Sequence, residues 1–173
     1  MAPNLDMIVD VVDKKNRVIS KVERRALFEK RLNFRTVHVL LFDRADRLVL
    51  QHLSPNHPRS PNRLGSSVAG YLQAEETYFD AAKRKLREEL KTTARLKDAG
   101  QFEMPDESSR KFVGVYTGHT RSQLEIGDDQ ISELVYMPRS EVDLLVNNEP
   151  KLFTPTFLFV YDHFKRWTET SGR

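Results

Sequence analysis

The sequence predicts a mixed α/β fold of the α+β kind, in which strands and helices are not strictly alternating. Three observations predict it. The 173 residues match the size of one domain and suffice for a core without covalent staples. Short runs rich in branched residues recur on both sides of one long amphipathic helix, the period-2 and period-3.6 signals of strands and helices. No internal repeat, low-complexity tract or linker divides the chain. Residues 1–173 therefore read as one domain, opened by a β-hairpin at about 7–22.

Each element has its own warrant. MIVDVV (7–12) and RVISKV (17–22) flank Asp13-Lys14-Lys15-Asn16, a hairpin signal. Residues 23–32 carry helix formers, with Ala26, Leu27 and Phe28 as a modest apolar stripe. TVHVLLF (36–42) is nearly continuous in apolar residues, as a central strand buried on both faces requires. RLVLQHL (47–53) returns after a turn at 43–46. Residues 54–66 form a loop with three prolines, the kind that more often serves function than scaffold. Residues 77–93 are the clearest helix. Thr77 is its N-cap, Asp80 suits its N-terminus, and Phe79, Ala82, Leu86, Leu90 and Thr93 are expected to face the core. Strands follow at 98–104 and 111–118, separated by a polar turn from Pro105 to Arg110. ISELVYM (131–137) is a further strand, and helices are expected over 139–146 and about 153–168.

Composition narrows the function. The 39% hydrophobic content is too high for a disordered chain and too low for a membrane protein. No apolar run approaches the roughly 20 residues of a membrane helix. The absence of cysteine excludes disulfides, a thiol nucleophile and thiolate metal sites. With no secretory leader pattern in residues 1–12, a cytoplasmic location is expected. The net charge of +3 arises from 28 basic and 25 acidic residues. That near balance argues against a nucleic-acid binder, which shows a larger clustered excess.

Chemistry concentrates in Gly70 to Leu90, GYLQAEETYFDAAKRKLREEL. At 100° per residue, Glu89 lies about 60° from the core direction set by Leu86, and Glu88 about 160° round on the same side. Lys85 and Ala81 lie between them. Two carboxylates thus border one helix flank beside a glycine loop, the oxygen ligands that Mg²⁺ or Mn²⁺ accepts with substrate phosphates. Glu76 and Arg84, eight residues apart, are in phase to tie loop to helix. Arg59 and Arg63, in the proline-rich loop, suit bidentate contact with phosphate oxygens.

This combination resembles the Nudix box, GX5EX7REUXEEXGU, with U a bulky aliphatic residue. Gly70, Glu76, Arg84, Leu86, Glu88 and Glu89 match at the family spacing. Over about residues 7–137 the chain looks like the isopentenyl-diphosphate-isomerase-like branch of the Nudix family. The resemblance implies an α/β/α sandwich with a mixed sheet and Mg²⁺-dependent hydrolysis of a small diphosphate. It implies metal ligands at the Gly70 carbonyl, Glu88 and Glu89, a structural role for Gly70, Glu76 and Arg84, and catalytic roles for Glu88 and Glu89. The isomerase's own groups are missing. Its cysteine and histidine around the box glycine are Ala69 and Tyr71 here, and its later acids fall on Ser109 and Lys111. Its upstream histidines fall near Leu27 and Phe34. Hydrolysis, not isomerisation, is the expectation.

Three positions depart from the box. Lys85 replaces the glutamate of RE, Lys91 the late glycine, and Glu75 stands where many relatives have glycine. A protonated lysine cannot ligate a metal. The missing carboxylate then comes from Glu103, Glu107, Glu125, Asp128, Asp129 or Glu133, with Glu133 ranked first as catalytic base because relatives often carry a carboxylate there. Lys85 also supports a second reading, a Nudix-fold module that binds a nucleotide or partner without turnover. His52, His57 and His119 lack obvious partners, and Phe102, Phe112 and Tyr116 read as core rather than as a base-stacking platform. The substrate class is a small-molecule diphosphate, with no nucleic acid and no membrane as partner. Oligomeric state stays open, a homodimer included.

Overall fold

The computed structural model describes residues 4–171. Strands β1 (Ile8–Val12) and β2 (Val18–Glu23) form a two-stranded antiparallel hairpin. A short helix α1 (Arg24–Glu29) follows, then β3 (Phe34–Phe42), β4 (Arg47–Leu53), β5 (Leu64–Gly65) and β6 (Val68–Tyr71). The long helix α2 spans Tyr78–Leu90. Strands β7 (Leu96–Asp106), β8 (Ser109–His119) and β9 (Ile131–Pro138) lead to helices α3 (Arg139–Asn148) and α4 (Pro155–Ser171).

The seven strands after the hairpin make one mixed sheet, and its branching builds the site. β8 pairs in parallel with β3 along its whole length, so one edge of β3 is filled. The other edge is shared: β4 meets it only at Phe42↔Leu48, and β6 takes Thr36 to Val39. β4 is likewise filled along one edge by β9, and β5 takes the free end of the other. β3 and β4 therefore part company after their turn, and residues 64–71 run into the fork. Ser67 stitches it. Its hydroxyl accepts the Leu41 N–H of β3 at 2.8 Å and donates to the Val49 carbonyl of β4 at 2.5 Å. Without that hydroxyl both backbone groups would be buried and unpaired.

Burial divides the core into two layers. α2 seals one face of the sheet with Ala81, Ala82, Leu86 and Leu90 against Val37, Val39, Leu41 and Val49. α4 seals the other with Phe157, Val160, Tyr161 and Phe164 against Leu40, Phe42, Leu48 and Leu50. This is the sandwich the box resemblance implies. A third small cluster, Val9, Val11, Leu27 and Phe34, seats the hairpin.

Several boundaries differ from the sequence expectation. α2 ends at Leu90 because Lys91 turns left-handed at φ 48°, so Thr93 is exposed rather than core. Phe79 is also outside, 43% exposed. Tyr78 takes the inward position instead, against Gly114, where any side chain would collide with its ring. α1 covers 24–29 rather than 23–32, since Arg31 adopts φ 56°. The expected turn from Pro105 to Arg110 is mostly strand: Pro105 pairs with Arg110 and Asp106 with Ser109. Proline is tolerated there because β7 is the sheet edge. The loop 54–66 hides the two-residue strand β5, too short to carry a pattern.

Candidate active site

Three groups surround the fork, two of them charged and held by α2 and the third the backbone of β6. The first is a clamp. Arg84 Nε donates to Glu76 Oε1 at 2.8 Å and Nη2 to Oε2 at 2.9 Å. The same Nη2 donates to the Tyr71 carbonyl at 2.9 Å, and Glu76 Oε2 also accepts the Gln73 N–H. One arginine thus joins strand, loop and helix, and its proton is held more firmly than usual, chiefly by the bond to Glu76. The loop between is pinned by the hairpin: Ala74 N–H donates to the Ile8 carbonyl and Glu75 N–H to Asp10 Oδ2. Those bonds hold Glu75 at φ 67°, where glycine would sit without strain.

The second group is the acid pair. Glu89 is buried, and its Oε2 accepts from the Ala69 N–H and from Gln51 Nε2, each at 3.2 Å. Desolvation pushes its carboxyl up to about 7, against the pull of nearby Lys85. Glu88 lies next to it on the open side, taking Arg84 Nη1 at 3.2 Å. Lys85 stands between them, its Nζ 3.2 Å from Glu88 Oε2 and 3.8 Å from Glu89 Oε1.

The backbone of β6 supplies the third component. Ala69 N–H points to Glu89, and Leu72 N–H donates to the Arg35 carbonyl of β3. In an antiparallel ladder hydrogen-bonded pairs alternate with non-bonded ones, and a residue's N–H and C=O share one side. The Gly70–Val37 pair is then a bonded rung, with the Gly70 carbonyl turned into the sheet. The carbonyls of Ala69 and Tyr71 face outward. Arg84 takes the second, in agreement. The Gly70 carbonyl expected as a ligand is turned into the sheet by this rung count, and the outward oxygen beside Glu89 belongs to Ala69. Gly70 matters for another reason. A Cβ on it would lie 2.5 Å from Cε of Lys85, so its bareness lets the lysine stem cross the strand.

The remaining expected residues scatter. Glu133 is mostly exposed, its Oε1 3.2 Å from His52 Nδ1. Gln51 and His52 are consecutive in β4 and so point to opposite faces. Gln51 meets Glu89 and His52 meets Glu133, which puts Glu133 on the far face from the pair. Arg59 engages Asp106 at 3.5 Å and Glu107 at 3.3 Å. Arg63 ends the same loop, its carbonyl accepting the Leu53 N–H. Glu103 pairs with Arg110 and Glu125 with Lys91. Asp128 is different, because its charge reaches Glu89 and raises it further. Its loop docks on the helix end: Gly127 N–H donates to the Glu89 carbonyl at 2.8 Å, and a side chain on Gly127 would strike the Glu88 carbonyl. His57 accepts the N–H groups of Arg59 and Ser60 and shapes the loop. His119 lies near Asp46, at the end of β3 and β8. Phe112 is buried and Tyr116 packs in the α2 layer, while Phe102 packs on the α4 layer.

Gln51, Ser67, Ala69, Gly127 and Asp128 escaped the sequence reading as site residues or were not singled out from others. Their signal is tertiary: each is defined by the fork or by the helix end it meets. The isomerase positions also gain a physical description. Lys111 is buried, 3.4 Å from Asp106 Oδ1 and donating to Thr156 Oγ1 at 2.7 Å. Tyr71 is stacked on Phe34 at 5.2 Å, with the Arg24 guanidinium 3.7 Å from its ring centre.

A mixed sheet between two helical layers, with a glycine-strand, a clamp and an acid pair on one helix, is the architecture of the Nudix family. The family's domain model matches residues 32–157, and the chain belongs to that family. A Nudix hydrolase of Pseudomonas aeruginosa is 30% identical, over 70% of this chain and 73% of its own. An isopentenyl-diphosphate Delta-isomerase of Photorhabdus laumondii is 24% identical, over 88% and 89%. A protein of Deinococcus radiodurans known from its crystal structure superposes with a TM-score of 0.76, at 22% identity, over 91% and 99%. Among the described residues, no helix is long and apolar enough to cross a membrane.

Proposed function

We propose that this chain is a Mg²⁺- or Mn²⁺-dependent hydrolase that cleaves the pyrophosphate bond of a nucleoside diphosphate derivative or similar small diphosphate. The observation that carries the reading is Glu89: a buried carboxylate aimed at the strand edge beside the Ala69 carbonyl, pushed up to about 7 by desolvation. A buried acid so placed calls for a cation.

The donors suit a hard divalent ion: Glu88, Glu89 and the Ala69 carbonyl are all oxygens, with water and phosphate left to complete the shell. No group of three or more acidic, histidine or cysteine side chains clusters as a metal cage among the described residues, so weak binding is expected until a diphosphate arrives. When bound, the ion neutralises the diphosphate and lowers the proton affinity of water. The chain's own groups do the rest. Gln51 and the Ala69 N–H orient Glu89. The Glu76–Arg84 clamp fixes the strand edge. Asp128, in electrostatic reach of Glu89, is preferred over Glu133 as the water-activating carboxylate. Arg59 and Arg63 hold phosphate oxygens, Arg59 by exchanging one of its carboxylate partners. The hairpin and the C-terminal helices act with the matched segment as one unit.

The test is phosphate release from a panel of nucleoside diphosphate derivatives with Mg²⁺ and Mn²⁺. Turnover is expected, and Glu88→Gln with Glu89→Gln abolishes it and weakens Mn²⁺ binding by calorimetry. Lys85 between the acids favours one alternative, a binding module without turnover. Ligand binding with no phosphate release anywhere on the panel would select it.

A further inference from the structure

Lys85 is not an ordinary solvated lysine. Its stem lies across bare Gly70 within 2.5–2.9 Å of where a Cβ would be. Only 17% of its side chain is exposed, and its ammonium reaches both acids of the pair. A free lysine spreads over many rotamers, but this one is steered by the groove between strand and helix. Its charge has a meaning there. A carboxylate at this position carrying one divalent ion leaves a single positive charge. A lysine leaves the same charge with no metal, and its N–H donors suit phosphate oxygens.

We infer that the Lys85 ammonium is a resident cation, standing in for one divalent ion and contacting a phosphate oxygen of the bound diphosphate. The inference rests on the diphosphate reading of the site and adds to it a metal count. Replacing Lys85 by glutamate shifts local charge by two, the charge of one divalent ion. The natural chain therefore holds one metal ion fewer than Lys85→Glu.

Two measurements test this without turnover. Mn²⁺ bound per chain at saturation is counted by electron paramagnetic resonance titration in the absence of substrate. One ion is expected for the natural chain and two for Lys85→Glu. Methylenediphosphonate binding is then measured by calorimetry at saturating Mn²⁺. Lys85→Met keeps an unbranched stem over Gly70 and is expected to bind about tenfold more weakly, the worth of one charge-assisted contact. Lys85→Arg retains the charge and stays within about threefold of the natural chain on the same scale. Thermal melts establish that each variant is folded. Equal Mn²⁺ counts in the natural chain and Lys85→Glu overturn the inference, as does undiminished binding by Lys85→Met. A chain that hydrolyses nothing on the substrate panel defeats the hydrolase reading yet leaves the metal count standing.

Discussion

The two halves of α2 are built on opposite terms. In the first half, Thr77 caps the helix by accepting the Asp80 N–H, and Arg84 finds a bidentate partner in Glu76 and a third contact in the Tyr71 carbonyl. Opposite charges are matched and close. In the second half two acids stand side by side, one of them buried, with a lysine between them and Asp128 nearby. The helix then ends on a lysine in a left-handed conformation. From cap to cap, the helix thus contains one segment whose charges are matched and one that holds unmatched charge and a strained end. Local frustration of the second kind marks functional sites.

The contrast can be broken at the clamp first. Arg84→Met leaves Glu76 and the Tyr71 carbonyl without their partner, at an expected cost of about 3 kcal/mol in urea denaturation. In a double-mutant cycle with Glu76→Gln, the coupling should be roughly 0.5–3 kcal/mol. Additive effects would mean that the first half is not held by this pair at all.

The acid pair offers a sign test of intermediate size. Glu89 has a folded-state carboxyl raised from 4.5 to about 7. Between those values the folded chain keeps a proton that the unfolded chain has released. Stability is therefore full below about 4.5 and falls as pH rises through 7. In metal-free buffer, Glu89→Gln keeps an acceptor for the Ala69 N–H but nothing to ionise. It should flatten that decline and leave the variant more stable than the natural chain at pH 8, by about 2 kcal/mol. A decline of the same depth in the variant would place its cause elsewhere.

The smallest effect sharpens the comparison at the helix end. Lys91 at φ 48° bears the cost of a left-handed side chain, and its contact with Glu125, at 3.8 Å between exposed groups, returns little. Lys91→Gly should raise stability by about 0.5–1 kcal/mol, read as a higher melting temperature. A loss would show that Lys91 is held by more than that pair.

Much of this was legible in the chain. The nearly continuous apolar run of TVHVLLF and the return of RLVLQHL after a turn marked two strands of the sheet, and Leu86 and Leu90 set the inward face of α2. Arg84 and Glu76 were paired by their spacing, which sets the last loop residues before the helix above its second turn, and the bidentate contact bears that out. What failed was local and physical. Phe79 looked inward by spacing, yet Gly114 admitted Tyr78 instead. That Glu133 and Glu89 fall on opposite faces of the sheet could not be known before the register of β4 and β9. Which of the Gly70 and Ala69 carbonyls faces outward could not be read from the chain, because the ladder's alternation depends on where the pairing starts.

The kind of fold, the helix that bears the acids and the lysine that intrudes on them were all readable along the chain. Those properties follow from periodicity and residue type, which are local and written along the chain. Where β3 and β4 part, which carbonyl faces the acids and which distant carboxylate comes within their field were set by the folded sheet. Each of these depends on pairing between segments tens of residues apart, and Ser67, Gln51 and Gly127 acquire their roles only when those segments meet.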